Sequence, residues 1–349
     1  MILGAPGRFW ACLKGPKKVN LPPNKTPTAR EVPFMSKISL IAGSSHPDLA
    51  QRIAKNLGIR LTEVGCFKFK NDNTFVRVKE CIRNHDVYII QTSAVPVNDN
   101  LVELLLLIDA AKYASAKRIT AILPYYPYVR SDKKDQPRVP VTARLVADML
   151  VTAGVDRVIS MDLHADQITG FFRCRYDQLY ASSVMLPYLQ SKDLTDCCVL
   201  SPDIGGMKRA RFFAQELDLP LAIFNKQRFG NDDDAAVAEI IGTVEGLHCI
   251  LIDDEISTGG SVLSVAENIM RMGAKSLTAA CIHGVFVHNA VGRLEEAGLK
   301  EIICTDTLPV AHLAEKHPSL TVLGIADILA EGIHRTHEGE SIGEMFGHN

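Results

Sequence analysis

The sequence predicts an α/β protein built on mainly parallel sheets with helices on both faces. Three observations carry this. Short apolar runs recur from Met35 onward, amphipathic stretches of helix length separate them, and several runs end in acidic or glycine-rich turns. Short β-rich runs joined by helical crossovers imply strands buried on both faces, which is the parallel case. Ligands of such sheets bind beyond the carboxyl ends of the strands.

Taken in order, strand-like runs lie at 38–42, 87–91, 118–123, 157–161, 198–201, 221–224, 249–252, 276–282 and 301–305. Helical periodicity covers 48–57, 100–113, 142–153, 207–217, 262–272 and 290–297, with a last helix near 327–335 before a polar tail. The two halves share one rhythm, which suggests an internal duplication with a seam near 180–195. The expected domains are 35–185 and 186–325, followed by a C-terminal helix and tail over 326–349. Residues 1–34 stand apart. They hold six prolines and no sustained periodicity, and read as a disordered extension or a targeting segment. Met35, at the head of the first strand run, reads equally well as a start.

Composition excludes several classes. A chain of 349 residues with ordinary apolar and charged fractions is long enough for two soluble domains. No apolar run approaches the roughly 20 residues of a membrane-spanning helix, so no membrane role is expected. The net charge of −2 is uneven: Arg8, Lys14, Lys17, Lys18, Lys25 and Arg30 face only Glu31 within residues 1–34. The rest is therefore acidic, which argues against nucleic acid as a partner. The nine cysteines are scattered with no Cys-x-x-Cys pair. Reduced thiols and a cytoplasmic location follow, or an organellar one if the leader is a targeting segment.

The run 249–252 delivers Asp253 and Asp254 to a loop of Ser257, Thr258, Gly259, Gly260 and Ser261, and a helical segment follows. Glycines let the backbone turn tightly and approach a ligand. Loop N–H groups and a helix N-terminus suit a phosphate. Thr258 and Ser261 add hydroxyl donors, and the two carboxylates accept hydrogen bonds from ribose hydroxyls. A plain strand–turn–helix connection with a capping Asp or Ser reads from the same residues. The paired Asp ahead of the loop favours the phosphoribosyl cradle.

Four other segments bear on chemistry. Asp162 and His164 emerge on one side at the end of a strand, where they can hold a metal or a nucleotide phosphate, or serve an ordinary structural role. Asp203, in Ser201-Pro202-Asp203-Ile204-Gly205-Gly206, fits a Mg²⁺ ligand or a turn cap. Lys226 and Arg228 alternate in an extended segment before a polar run that reads as a mobile loop. They suit either a transferring phosphoryl group or a solvated charge cluster. The segment from Pro124 to Asp135 joins tyrosines to Arg130, which can meet phosphates; packing at a domain edge is the alternative.

In this order, the segments resemble the ribose-phosphate diphosphokinase (phosphoribosyl diphosphate, PRPP, synthetase) family, in its eukaryotic-like form, from about residue 35 to 346. Val95-Pro96-Val97-Asn98-Asp99-Asn100, Met161-Asp162-Leu163-His164-Ala165, Gln167-Ile168-Thr169-Gly170 and Arg335-Thr336-His337-Glu338-Gly339-Glu340-Ser341 extend the likeness. The resemblance implies two similar phosphoribosyltransferase-type domains, an ATP side in 35–185 and a ribose 5-phosphate side in 186–325. It implies transfer of diphosphate from Mg-ATP to the C1 hydroxyl of ribose 5-phosphate, giving PRPP and AMP for nucleotide biosynthesis. Lys226 and Arg228 would be catalytic. Phe69, Asn71, Asn73, Arg130, Ser131, Asp135 and His164 would bind ATP, Phe69 and Asn71 from a neighbouring subunit. Asp253, Asp254 and Ser257 to Ser261 would hold ribose 5-phosphate, while Asp162, His164 and Asp203 would hold Mg²⁺. Arg83, Arg138 and Ser341 would belong to a regulatory site. Dimers assembling to a hexamer, or hetero-oligomers with paralogues, are expected.

Several residues depart from the family pattern. Ser257 stands where a third Asp is usual, Asn73 where Glu is usual, and Ser131 where Gln is usual. Cys81, Gln136 and Gly343 replace Ser, Lys and Ser near the regulatory residues. The alternatives are a PRPP-using phosphoribosyltransferase, and a non-catalytic subunit that regulates a true synthetase.

Overall fold

A computed structural model describes residues 37–228 and 236–346, with the side chains at 226–228 and 236–238 left out. The expectations for residues 1–34 and for the polar run after Arg228 lie outside these residues. In the first half, β1 (Ile38–Ala42) leads through α1 (Pro47–Asn56) to a hairpin of β2 (Val64–Lys68) and β3 (Thr74–Val78). Then come β4 (Asp86–Ile90), α2 (Val97–Tyr113), β5 (Arg118–Leu123), α3 (Thr142–Ala153), β6 (Arg157–Met161) and β7 (Arg175–Leu179). The five strands β1-β4-β5-β6-β7 form one wholly parallel sheet. Every residue of β4 is buried, as helices on both faces require.

The second half opens after β7 with α4 (Ser182–Gln190). It continues through β8 (Cys197–Ser201), α5 (Met207–Glu216), β9 (Leu221–Arg228), β10 (Ala236–Ile241) and β11 (His248–Ile256). Next are α6 (Gly260–Arg271), β12 (Ser276–Gly284), α7 (Ala290–Glu296), β13 (Glu301–Thr305), α8 (Ala311–Ala314), β14 (Leu320–Leu323) and α9 (Ala326–Glu338). Its sheet runs β10-β9-β8-β11-β12-β13-β14, parallel except for β10. The chain leaves β8 toward β9 on one side and returns to β11 on the other. That reversal opens a crevice beyond the carboxyl ends of β8 and β11, where ligands of such sheets bind.

Two strands correct the sequence reading in ways that matter. The run expected at 249–252 continues as β11 to Ile256, because its pairing with β12 persists through Glu255↔His283 and Ile256↔Gly284. Asp253 and Asp254 are thus strand residues. Likewise the run expected at 221–224 continues as β9 to Arg228, paired with β10 from Ile223 on, so Lys226 and Arg228 are strand residues.

The halves are stitched together. The largest apolar cluster includes Leu40, Tyr88 and Ile159 of the first sheet with Val199, Ile252 and Ile303 of the second. The final helix, α9, returns to the first half: its Ile328, Leu329 and Ile333 join Leu49, Ala50 and Ile53 of α1 in that cluster. Polar links cross as well, from Thr92 Oγ1 to Thr307 O at 2.7 Å and from Arg52 to Asp306 at 2.5 Å.

Candidate active site

Four strand ends converge on one cavity of about 590 Å³. From the second sheet, β8 leads into Pro202 and Asp203, and β11 carries Asp253 to Ile256 into the Ser257–Ser261 segment. From the first sheet, β6 leads to His164 and β5 to Arg130. All of these residues line the cavity. A smaller cavity of about 350 Å³ lies by the hairpin, lined by Ser44, Lys68, Asp99 and Glu103 among others. It shares none of the predicted sugar-phosphate residues.

The glycine-rich half of the cavity follows from local backbone. Gly259 takes φ +78° at the N-cap of α6, a left-handed conformation that costs a side-chain-bearing residue energy. No side chain caps this helix, and its first turn carries no acid. First-turn N–H groups therefore face the cavity with only a 3.4 Å contact from Gly260 N to Thr258 Oγ1. A helix N-terminus in that condition attracts an anion.

The acidic half is an ion cluster. Asp254, 7% exposed, meets His164 Nδ1 at 2.5 Å and Arg209 Nη1, from α5, at 3.6 Å. Burial pushes its acidity down, but His164 and Arg209 outweigh this and hold Asp254 below the usual carboxylate range. Burial, then the neighbouring Asp254 charge, pushes Asp253 up instead. The Asp254 bond in turn raises His164 above its ordinary 6.5. One adjacent pair of Asp residues thus holds a fixed carboxylate beside a group that retains its proton more readily.

This arrangement has a pH signature. His164 is raised on folding, so its contribution to stability is complete below pH 6.5 and fades as pH climbs through the folded value. Asp254 is depressed, so its share is complete above pH 3.8 and is lost as pH falls through the folded value. The melting-temperature gap between the wild type and His164→Gln is expected to be widest between these limits and to shrink in alkaline buffer. A gap that ignores pH would remove the ion pair from the account.

Most of the other predicted residues lie elsewhere. The Asp162 carboxylate accepts from Ala181 N at 2.7 Å, away from the cavity, and burial pushes its pKa to about 6. Ser131 Oγ accepts from Thr142 N at 3.3 Å and so serves the start of α3. Asp135 is exposed and does not line the cavity. Phe69, Asn71 and Asn73 sit at the end of the β2–β3 hairpin, exposed, with Phe69 against Phe67 and Phe75. Arg83, Arg138 and Ser341 are all exposed. No hydrogen bond or ion pair joins these three among the described residues. Asp203 lines the cavity and accepts from Gly206 N at 2.7 Å.

Sequence reasoning missed three participants. Arg209 falls within the helical run 207–217 and Tyr125 within the segment from Pro124 to Asp135, and Glu255 stands between the paired Asp and the Ser257–Ser261 loop. Tyr125 OH donates to Glu255 Oε2 at 2.7 Å, and Arg130 Nη1 donates to Glu255 Oε1 at 3.3 Å. The one available signal was three consecutive acids, Asp253-Asp254-Glu255, since a third buried acid must find partners.

Parallel sheets, a crevice at the strand-order reversal and a glycine-opened helix N-terminus mark an α/β protein that binds phosphorylated ligands, and its fold is of the phosphoribosyltransferase type. Residues 38–154 match the N-terminal domain of ribose phosphate pyrophosphokinase, and residues 231–347 match the phosphoribosyl synthetase-associated domain. The chain belongs to the ribose-phosphate pyrophosphokinase family. The ribose-phosphate pyrophosphokinase of Gloeobacter violaceus is 43% identical over 311 residues, covering 89% of this chain and 93% of its own length. Ribose-phosphate pyrophosphokinase 4 of Saccharomyces cerevisiae is 43% identical over 323 residues, covering 92% and 98%. The crystal structure of phosphoribosylpyrophosphate synthetase from Mycobacterium smegmatis superposes with a TM-score of 0.83 at 42% identity, over 87% of this chain and all of that one. No helix among the described residues is long and apolar enough to cross a membrane.

Proposed function

We propose that this chain transfers the diphosphoryl group of Mg-ATP to ribose 5-phosphate, giving PRPP and AMP. One observation carries the reading: Arg130 and His164 of the first half line the same cavity as the Asp253–Ser261 segment of the second. A site for a sugar phosphate alone needs only the second half. The 5-phosphate would rest on the N-terminus of α6, with Thr258 and Ser261 donating to it. The ribose hydroxyls would bond Asp253 and Asp254, and the ATP phosphates would meet Arg130 and His164.

The C1 oxygen attacks the β-phosphorus of ATP. A new O–P bond forms, the bond to the α-phosphate oxygen breaks, AMP departs, and the C1 hydroxyl proton is released. Such a transfer depends on positioning and charge rather than on a covalent intermediate. Mg²⁺ fits as a companion of ATP. Among the described residues no three His, Cys, Asp or Glu side chains form a metal cage, and Mg²⁺ commonly takes one or two carboxylates with waters and substrate phosphates. Asp203 is the carboxylate best suited to it. While His164 holds its proton against Asp254 it is a phosphate partner, since a metal ligand needs the neutral ring.

The hairpin residues Phe69, Asn71 and Asn73 do not line this cavity, and in a dimer or hexamer Phe69 and Asn71 would serve the cavity of a second copy. The test is AMP production from Mg-ATP with and without ribose 5-phosphate, repeated across a protein dilution series. AMP that forms only with ribose 5-phosphate, at a specific activity that falls as copies separate, is the expected result. Base-dependent diphosphate release from PRPP would instead make the chain a user of PRPP. Protein inert alone that stimulates an active paralogue would make it a regulatory subunit.

A further inference from the structure

Glu255 stands in the cavity wall between the two halves. Its side chain is 7% exposed, and both carboxylate oxygens are engaged, one by Tyr125 and one by Arg130. The Tyr125 ring packs on the His283 ring with centroids 4.7 Å apart. His283 is itself held at both nitrogens, by Thr307 Oγ1 at 3.0 Å and by the carbonyl oxygen of Asp162 at 2.9 Å. Burial, then Glu255, pushes the Tyr125 phenol up, so it remains a hydrogen-bond donor. Glu255 is thus fixed from behind by a buried stack. In front of it Arg130 is 67% exposed.

A bare carboxylate on a wall that receives polyanions repels them. Here its charge is spent on one cation. Arginine loses rotamer freedom whenever it orders on a ligand, and a fixed acceptor supplies part of that ordering in advance. The contact uses one N–H of a guanidinium that carries five, leaving the rest of the fork for phosphate oxygens.

We propose that Glu255 is a positioning residue: anchored by Tyr125, it holds the Arg130 guanidinium over the cavity for the phosphates of a nucleoside triphosphate. The identity of that ligand rests on the function proposed above. Two variants test it by calorimetric binding of Mg-ATP alone and by KM and kcat for both substrates. Glu255→Gln is expected to raise Kd and KM for Mg-ATP about tenfold, with a smaller fall in kcat and little change in KM for ribose 5-phosphate. Tyr125→Phe moves Mg-ATP binding the same way by less, and the double variant is no weaker than Glu255→Gln, because both act through one carboxylate. Tyr125→Phe carries the test alone should Glu255→Gln not fold.

Tighter Mg-ATP binding in Glu255→Gln would show a carboxylate that competes with the phosphates, and would overturn the proposal. So would unchanged Mg-ATP binding, or a loss confined to ribose 5-phosphate. A wild type that binds Mg-ATP yet forms no AMP with ribose 5-phosphate would remove the functional reading while leaving the Kd comparison valid. A wild type that does not bind Mg-ATP overturns both.

Discussion

Replacing Lys226 with alanine lowers kcat by about two to three orders of magnitude and moves KM for Mg-ATP by less than about threefold. The charge balance of the cavity is the reason. Asp203, Asp253, Asp254 and Glu255 line it, while its described cations, Arg130 and His164, each already face a carboxylate. Negative charge that shifts on a transferring diphosphoryl group needs a cation not already committed. Lys226 and Arg228 lie two positions apart at the end of β9, and β9 pairs with β8, the strand that leads to Asp203. A group that acts mainly in the transition state changes kcat more than KM. Steady-state kinetics checks this, and a normal kcat in the variant would take Lys226 out of the reaction.

Loss of Asp254 has the other large effect. Asp254→Ala is expected to raise KM for ribose 5-phosphate about a hundredfold or more and to cost about 3 kcal/mol of stability, because it strands His164 and Arg209 without their shared counter-charge. Asp254→Asn keeps the shape and an acceptor for His164, so it separates the two losses: most of the sugar-phosphate defect with less of the stability defect. Titration calorimetry with ribose 5-phosphate and thermal melting read the two quantities. Normal sugar-phosphate affinity in both variants would contradict the assignment.

The parallel α/β architecture was legible because its signals are local. Apolar runs such as 118–123 and 157–161 fall on β5 and β6 with the expected bounds, and 142–153 is α3. The strand–turn–helix passage at Gly259 and Gly260 was legible for the same reason, since the glycines and the following helix are contiguous. What was hidden is what depends on distant partners. Polarity at Asp253 looked like the end of a strand, yet β12 continues the ladder and residues of the first half neutralise the acids. No pattern within 249–261 records that His164, Arg130 and Tyr125 will be there. The hairpin was missed because its strands are five residues each and only partly buried, with little apolar contrast to their turn. Ser131 is the converse case. A residue placed beside Arg130 in sequence turns its hydroxyl to a helix start, because neighbouring residues in an irregular segment need not share a direction.

The packing of α9 against α1 has a consequence for biosynthesis. During translation, the apolar side of α1 emerges long before α9, the helix that covers it. Leu49, Ala50 and Ile53 therefore cannot reach their final surroundings while the ribosome is still reading the middle of the message. The first half is sealed only after the second has been made, and a chain released before α9 would expose this surface far from its broken end.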